Sequence, residues 1–176
     1  MRELADAARI RRFLRALGAA AESDVAAYLT GGATAVLLGW RESTIDVDVT
    51  FVPETDAVLR ALARLKDELE VNVELVSPAH FIPLPPGSEE RAIFVVREGR
   101  ISFYHFDPYA QALAKVERGH RQDLEDVHAM VERGLVEPER ALALFAQIEP
   151  ELFRFPALDP RSFARKVERA FVQRTA

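Results

Sequence analysis

The chain has 176 residues, 49% of them hydrophobic and 29% charged, which suits one domain or one core with a helical extension. Zero cysteines exclude a disulfide framework and thiolate zinc sites. No apolar run nears the ~20 residues that cross a bilayer, and no basic-then-apolar leader opens the chain, so a cytoplasmic setting without a membrane partner is expected. The net charge of −5 is uneven: residues 1–16 carry five arginines against Glu3 and Asp6, and residues 152–176 carry five arginines and Lys166 against Asp159 and Glu168. Basic ends of this kind suit an anionic partner or plain solvated helix faces, and the acidic middle speaks against a surface that coats nucleic acid throughout.

In chain order, Leu4, Ala7, Ile10, Phe13, Leu14 and Leu17 recur at helical spacing and predict an amphipathic helix stopped by Gly18. Val25 to Leu29 predicts a short strand ending in Thr30-Gly31-Gly32, and Ala33 to Leu38 then favours helix, with Gly39 as its stop. Ile45 to Phe51 alternates apolar and polar residues, the mark of a half-buried strand, and Pro53 closes it. Thr55 or Asp56 caps a predicted helix to about Leu69 that buries Val58, Leu59, Leu62 and Leu65. Val71 to Leu75 alternates again as a strand. Four prolines make residues 77–87 irregular, and Ala92–Val96 and Ile101–Phe106 flank Arg97–Arg100 as a hairpin. Helices are predicted over roughly 108–118, 121–133, 138–148 and 160–172. Together these give an α/β (α+β) fold: a small mixed β-sheet flanked by helices in a core with hairpin over residues 1–107, and a C-terminal helical region packed on it over 108–176.

Asp46 and Asp48 carry the strongest chemical signal. Residues two apart on a strand share a face, with ~6.6 Å of rise between them. Their carboxylates can converge on one cation or bridge two that sit ~3.5–4 Å apart. Hard Mg²⁺ prefers such oxygens and keeps open positions for phosphate. The plain alternative is two carboxylates facing water on a half-exposed sheet. Gly31-Gly32, between a strand and a helix start, lets backbone approach a ligand near the positive end of a helix, or else makes an ordinary turn. Glu74, on the opposite parity to Val71, Val73 and Leu75, joins the carboxylate face if its strand neighbours that of Asp46; otherwise it is a solvated edge residue.

Gly31-Gly32, a spacer of about a dozen residues and Asp46-Val47-Asp48-Val49 together resemble the defining motif of the polymerase-β-like nucleotidyltransferase superfamily. The portion Gly39-Trp40-Arg41-Glu42-Ser43-Thr44-Ile45-Asp46-Val47-Asp48 is similar to the branch of AbiEii-type toxin nucleotidyltransferases and their uncharacterised bacterial relatives (DUF6036-like). Lys115, followed by Arg121-Gln122-Asp123-Leu124-Glu125-Asp126, resembles the Lys…Arg-x-Asp-x-x-Asp motif that follows the core in that branch; its alternative is a surface salt-bridge network. The likeness spans about residues 25–133.

This resemblance implies a nucleotidyltransferase that moves a nucleoside monophosphate from an NTP to an acceptor hydroxyl. Asp46, Asp48 and Glu74 would hold Mg²⁺ (or Mn²⁺) and carry catalysis. Gly31, Gly32, Arg41, Ser43 and Lys115 would contact the nucleotide, Lys115 as a mobile point charge, with Arg121, Asp123 and Asp126 as auxiliary residues. A toxin-like enzyme would act on RNA such as a tRNA end, which Arg161, Arg165, Lys166 and Arg169 would contact, and would pair with a cognate antitoxin. The alternatives are AMP transfer to a partner protein, or a non-catalytic nucleotide- or partner-binding module. Two positions depart from the pattern: Gly32 stands where Ser is common, so a hydroxyl contact to phosphate is lost, and Glu74 is assigned by parity alone. His80, His105, His120 and His128 lack metal-ligand spacing and read as structural or surface residues. Trp40 and the phenylalanines read as core, with Tyr104 and Phe106 kept as possible base-stacking rings.

Overall fold

A computed structural model describes residues 3–172, so Arg2 and Arg174 of the basic ends lie outside the described residues. The chain gathers into two compact units, one formed by residues up to Ser77 with Ala92–Phe106, the other by Pro78–Arg91 with the residues from Asp107 onward. Among the described residues no helix is long and apolar enough to cross a membrane.

The first unit is built on strands β2 (Val25–Thr30), β4 (Asp46–Val52), β5 (Asn72–Leu75), β6 (Ile93–Glu98) and β7 (Ile101–His105), in the order β5-β4-β2-β7-β6. β2 runs antiparallel to β4 and parallel to β7, β4 runs parallel to β5, and β6 and β7 form the antiparallel hairpin, so the sheet is mixed. Alternation assigns the two faces. Val47, Val49 and Phe51 of β4, with Val25, Ala27 and Leu29 of β2 and Ile101 and Phe103 of β7, are buried in one hydrophobic cluster. Helix α1 (Ala7–Ala20) adds Ile10, Phe13, Leu14 and Leu17 to that cluster, and α3 (Asp56–Glu68) adds Val58, Ala61, Leu62 and Leu65. Each fully buried aliphatic or aromatic side chain contributes about 1.5–3 kcal/mol, so this single face holds the unit together. Asp46, Asp48 and Thr50 are left on the opposite face, half-buried.

Helix α2 (Gly31–Leu38) leaves β2 directly and ends at Gly39, whose φ of 91° is the left-handed conformation that favours glycine. Thr55, rather than Asp56, caps α3 by accepting from the Val58 amide at 3.2 Å. Leu59 is only half-buried, and Leu75, at the end of the edge strand, is 39% exposed.

Three further features differ from what the sequence pattern predicts. Gly18 does not stop α1; the helix runs through it to Ala20. The glycine is required because the hairpin turn presses on the helix: a β-carbon there would meet the Glu98 carbonyl oxygen at 2.2 Å. Ile45 is not a core residue but 68% exposed, because a bend separates β4 from a two-residue strand, β3 (Ser43–Thr44). β3 pairs antiparallel with β1 (Ala5–Asp6), matching Ala5 with Thr44 and Asp6 with Ser43. Trp40 is half-buried, and Phe94 and Phe153 are 59% and 78% exposed, whereas Phe13, Phe103, Phe163 and Phe171 are core residues as expected.

The second unit is helical. α4 (Pro108–Arg118) starts at Asp107, whose Oδ1 accepts from the Tyr109 amide at 2.9 Å, and ends at Gly119 in the left-handed conformation. α5 (Arg121–Glu132), α6 (Pro138–Ile148) and α7 (Pro160–Phe171) follow, with a 3₁₀ segment at Glu149–Arg154. Leu113, Val116, Met130, Ile148, Phe163 and Phe171 are among its buried side chains, and Phe145 meets Phe163 edge-on at 4.9 Å. The Pro78–Arg91 segment belongs with these helices through Arg91 and Ser88, which hold Asp107 Oδ2 at 2.7 and 3.0 Å.

Candidate active site

The polar face of the sheet brings Asp46, Asp48 and Glu74 together from two adjacent strands. Asp48 lies opposite Thr30 of β2 on one side and opposite Glu74 of β5 on the other. Paired residues on adjacent strands point to the same face, so Asp46, Asp48 and Glu74 share it. Asp46 lies opposite Asn72, whose Nδ2 donates to Asp46 Oδ1. Asp46 and Asp48 are half-buried and Glu74 is exposed.

Thr30 also leads into α2, which sets the next distance. Gly31 has a φ of 59°, and a β-carbon on it would lie 2.6 Å from Asp48 Oδ2. Only glycine both tolerates that conformation and lets the carboxylate come this close. Gly32 is buried, and a β-carbon there would meet the Thr44 hydroxyl at 1.9 Å. The helix thus begins directly against the carboxylate strand. Thr30 makes no side-chain hydrogen bond to the first turn, unlike Thr55 on α3 or Asp159 on α7. Because α2 starts at Gly31 against Asp48, the positive end of its dipole lies beside that carboxylate.

Arg41 and Ser43 are half-buried on the segment between α2 and β4, Ser43 inside β3. Among the described residues, no group of three or more His, Cys, Asp or Glu is gathered tightly enough to hold a metal ion. The donors present still fit a hard cation, because Mg²⁺ is commonly held by one or two carboxylates with phosphate and water completing its shell. Asp46 and Asp48 are placed to supply two such carboxylates, and Glu74 flanks them. A groove of about 470 Å³ between α3 and β5 touches Glu74 but neither aspartate. Its other lining residues are mostly aliphatic, among them Leu59, Leu62 and Leu75, which suits packing better than phosphate.

The second predicted patch lies in the helical unit and requires a correction. Lys115, expected as a mobile phosphate contact, is 6% exposed and is held by Asp126 at 2.7 Å and Asp123 at 3.4 Å. Its charge is committed to an internal network, and that network is buried rather than on the surface. Asp123 and Asp126 do share one face of α5, and Arg118 adds a hydrogen bond to Asp123 Oδ2 at 2.8 Å. Burial raises the Asp123 pKa, but hydrogen bonds and charge from Arg118 and Lys115 outweigh it and hold the group below the usual carboxylate value. Arg121 is exposed and pairs with Glu125 at 2.9 Å.

Of the histidines, His105 is buried beneath the sheet, its Nδ1 3.0 Å from the Thr34 hydroxyl of α2. His80, His120 and His128 are exposed. Burial, reinforced by the charge of Arg11, lowers the His105 pKa to about 4. The unfolded chain would take up this proton near 6.5, so folding stability from neutral His105 is complete above that value and is lost as pH falls toward 4. Between pH 7 and pH 4 the urea-unfolding free energy should fall by about 3 kcal/mol more in the wild type than in His105→Gln. Equal slopes for the two proteins would contradict this.

Sequence reasoning overlooked Thr44 and the contact of Asn72 with Asp46. No parity signal marks Thr44, because the bend at Ile45 separates its two-residue strand from β4.

A five-stranded mixed sheet with a Gly-Gly helix start and two aspartates on its open face makes this a small nucleotidyltransferase-like α+β fold. The chain belongs to the family of nucleotidyltransferases of unknown function (DUF6036), whose model matches residues 9–146. No curated protein matches the chain, and no solved structure does.

Proposed function

We propose that this protein is a metal-dependent nucleotidyltransferase that moves a nucleoside monophosphate from an NTP to the hydroxyl of an RNA acceptor, as a toxin-like enzyme does. One observation carries the reading: the Asp48 carboxylate lies against Gly31 at the start of α2 and directly across from Glu74. Anion-binding helix start and cation-binding carboxylates then adjoin, which is the pairing that a metal-bound triphosphate needs.

In the reaction the acceptor oxygen forms a bond to the α-phosphorus, the bond from that phosphorus to the bridging oxygen breaks, and pyrophosphate leaves with the electron pair. Backbone N–H groups of Gly31 and Gly32 bind phosphate oxygens, with Arg41 and Ser43 as further contacts. Asp46 and Asp48 hold Mg²⁺ (or Mn²⁺), which when bound supplies charge neutralisation on the phosphates. Asn72 keeps the Asp46 carboxylate oriented. Glu74, exposed beside Asp48, accepts the acceptor's proton; it is not gathered with the two aspartates as a third metal ligand. Catalysis of this kind rests on alignment and electrostatics rather than on covalent chemistry of the protein.

RNA is favoured as acceptor by Arg161, Arg165 and Arg169, which are exposed on α7. Lys166 drops out of that set because its Nζ donates to the Glu117 carbonyl at 2.6 Å. Incubation with α-labelled NTPs, Mg²⁺ and bulk tRNA should label RNA in the wild type, while Asp46→Ala/Asp48→Ala labels at least about a hundredfold less. Equal labelling would overturn the catalytic assignment. RNA binding should also weaken steeply between 50 and 200 mM salt, as phosphate contacts require. Label appearing on a co-expressed partner protein instead of RNA would replace the RNA acceptor by protein AMP transfer.

A further inference from the structure

Position 32 lacks the hydroxyl that a serine would place at the helix start, yet a hydroxyl is present there. Thr44 Oγ1 lies 1.9 Å from where a β-carbon of residue 32 would be, and Thr44 Cβ lies 2.6 Å from it. The threonine therefore fills the volume a side chain at position 32 would need. Its own environment is closed. Thr44 is 8% exposed, is paired with Ala5 through the β1–β3 ladder, and donates from Oγ1 to the Asp46 carbonyl at 2.9 Å. One side chain thus touches the turn that starts α2 and the residue that starts the carboxylate strand.

We infer that Thr44 is the positioning residue of the candidate site: its hydroxyl fixes the spacing between the Gly31-Gly32 turn and Asp46, and Gly32 is glycine because Thr44 occupies its side-chain space. Thr44 does not contact phosphate, because its proton is given to the Asp46 carbonyl. It acts by holding Asp46 and, two residues on, Asp48 at the helix start. Loss of that one hydrogen bond leaves the fold nearly intact but lets the carboxylates drift from the phosphate-binding turn, and sub-ångström placement governs such sites. This inference rests on the nucleotide-site reading proposed above.

Two substitutions at position 44 separate position from packing. Thr44→Val keeps the shape and removes the O–H, whereas Thr44→Ser keeps the O–H and removes a methyl group. Binding of the four α,β-methylene nucleoside triphosphates with Mg²⁺ is measured by calorimetry, and melting is followed on the same samples. Thr44→Val should bind about tenfold more weakly than wild type with a melting point only a few degrees lower, and Thr44→Ser should stay within about threefold. Gly32→Ser should lower both affinity and melting point, and Gly32→Ser/Thr44→Gly should recover much of each, because the hydroxyl then comes from the other side of the same space.

Wild-type affinity in Thr44→Val, or the same damage from Gly32→Ser whether residue 44 is Thr or Gly, overturns the inference and leaves the nucleotide site standing. No binding of any of the four analogues by the wild type overturns the nucleotide-site reading and the positioning role with it.

Discussion

Lys115→Met should lower the unfolding free energy by about 3–5 kcal/mol, as read by urea denaturation at neutral pH. The ammonium is 6% exposed and bonds Asp126, itself 1% exposed, at 2.7 Å. Removing the cation takes the 2.7 Å charge partner from a buried carboxylate, and this cost exceeds the modest net value of the pair. Asp123 suffers less, since Arg118 also holds it. Replacing both members of the closer pair, as Lys115→Met/Asp126→Leu, should recover a large part of the loss, because hydrophobic groups of similar volume need no counter-charge. A phosphate-binding lysine on the surface would behave differently: Lys115→Met would leave stability within about 0.5 kcal/mol and affect only nucleotide binding.

The second large effect is graded across the carboxylate face. Asp48→Ala should reduce nucleotidyl transfer by about a hundred- to a thousandfold, the scale of losing one preorganised electrostatic contact in an active site. Asp48 occupies the central position, with Thr30 and Glu74 as its register partners and Gly31 against its Oδ2. Glu74→Ala should cost less, since Glu74 is exposed and belongs to the edge strand. Initial rates under saturating NTP would reverse this ranking if Glu74, and not Asp48, were the principal group. Melting points of the three proteins should agree within a few degrees, because neither side chain contributes to the hydrophobic core.

Much of this arrangement is legible in the amino-acid sequence. Strict alternation from Val47 to Phe51 determines which face of β4 is buried, and the same logic placed Glu74 opposite Val73. What parity cannot supply is neighbourhood. That Glu74 stands beside Asp48 depends on β5 returning parallel to β4 through α3, a crossover set by packing rather than by local pattern. The same gap explains Gly18, which has the composition of a helix stop but serves a contact with Glu98 that is distant in sequence. Ile45 misled for the opposite reason: it continues the alternation by one residue although β4 begins only at Asp46.

The second motif failed differently. Helical spacing put Asp123 and Asp126 on one face of α5 and the motif resemblance added Lys115 of α4, but neither reports burial. An amphipathic helix normally exposes its charges, so a lysine directed inward becomes visible only when the helices around it are in place. Thr44 stayed hidden because a two-residue strand is too short to leave a pattern. Its role emerges from a distance, between a threonine and a glycine twelve positions earlier in the chain.

The assignment of the aspartate face as a metal–nucleotide site is tested most directly by calorimetric titration of the wild type and Asp48→Asn with α,β-methylene nucleoside triphosphates, with Mg²⁺ and with EDTA. Mg²⁺-dependent binding to the wild type, weakened at least about tenfold by Asp48→Asn, is the expected result. Binding of equal strength in both proteins, or binding indifferent to EDTA, would contradict it.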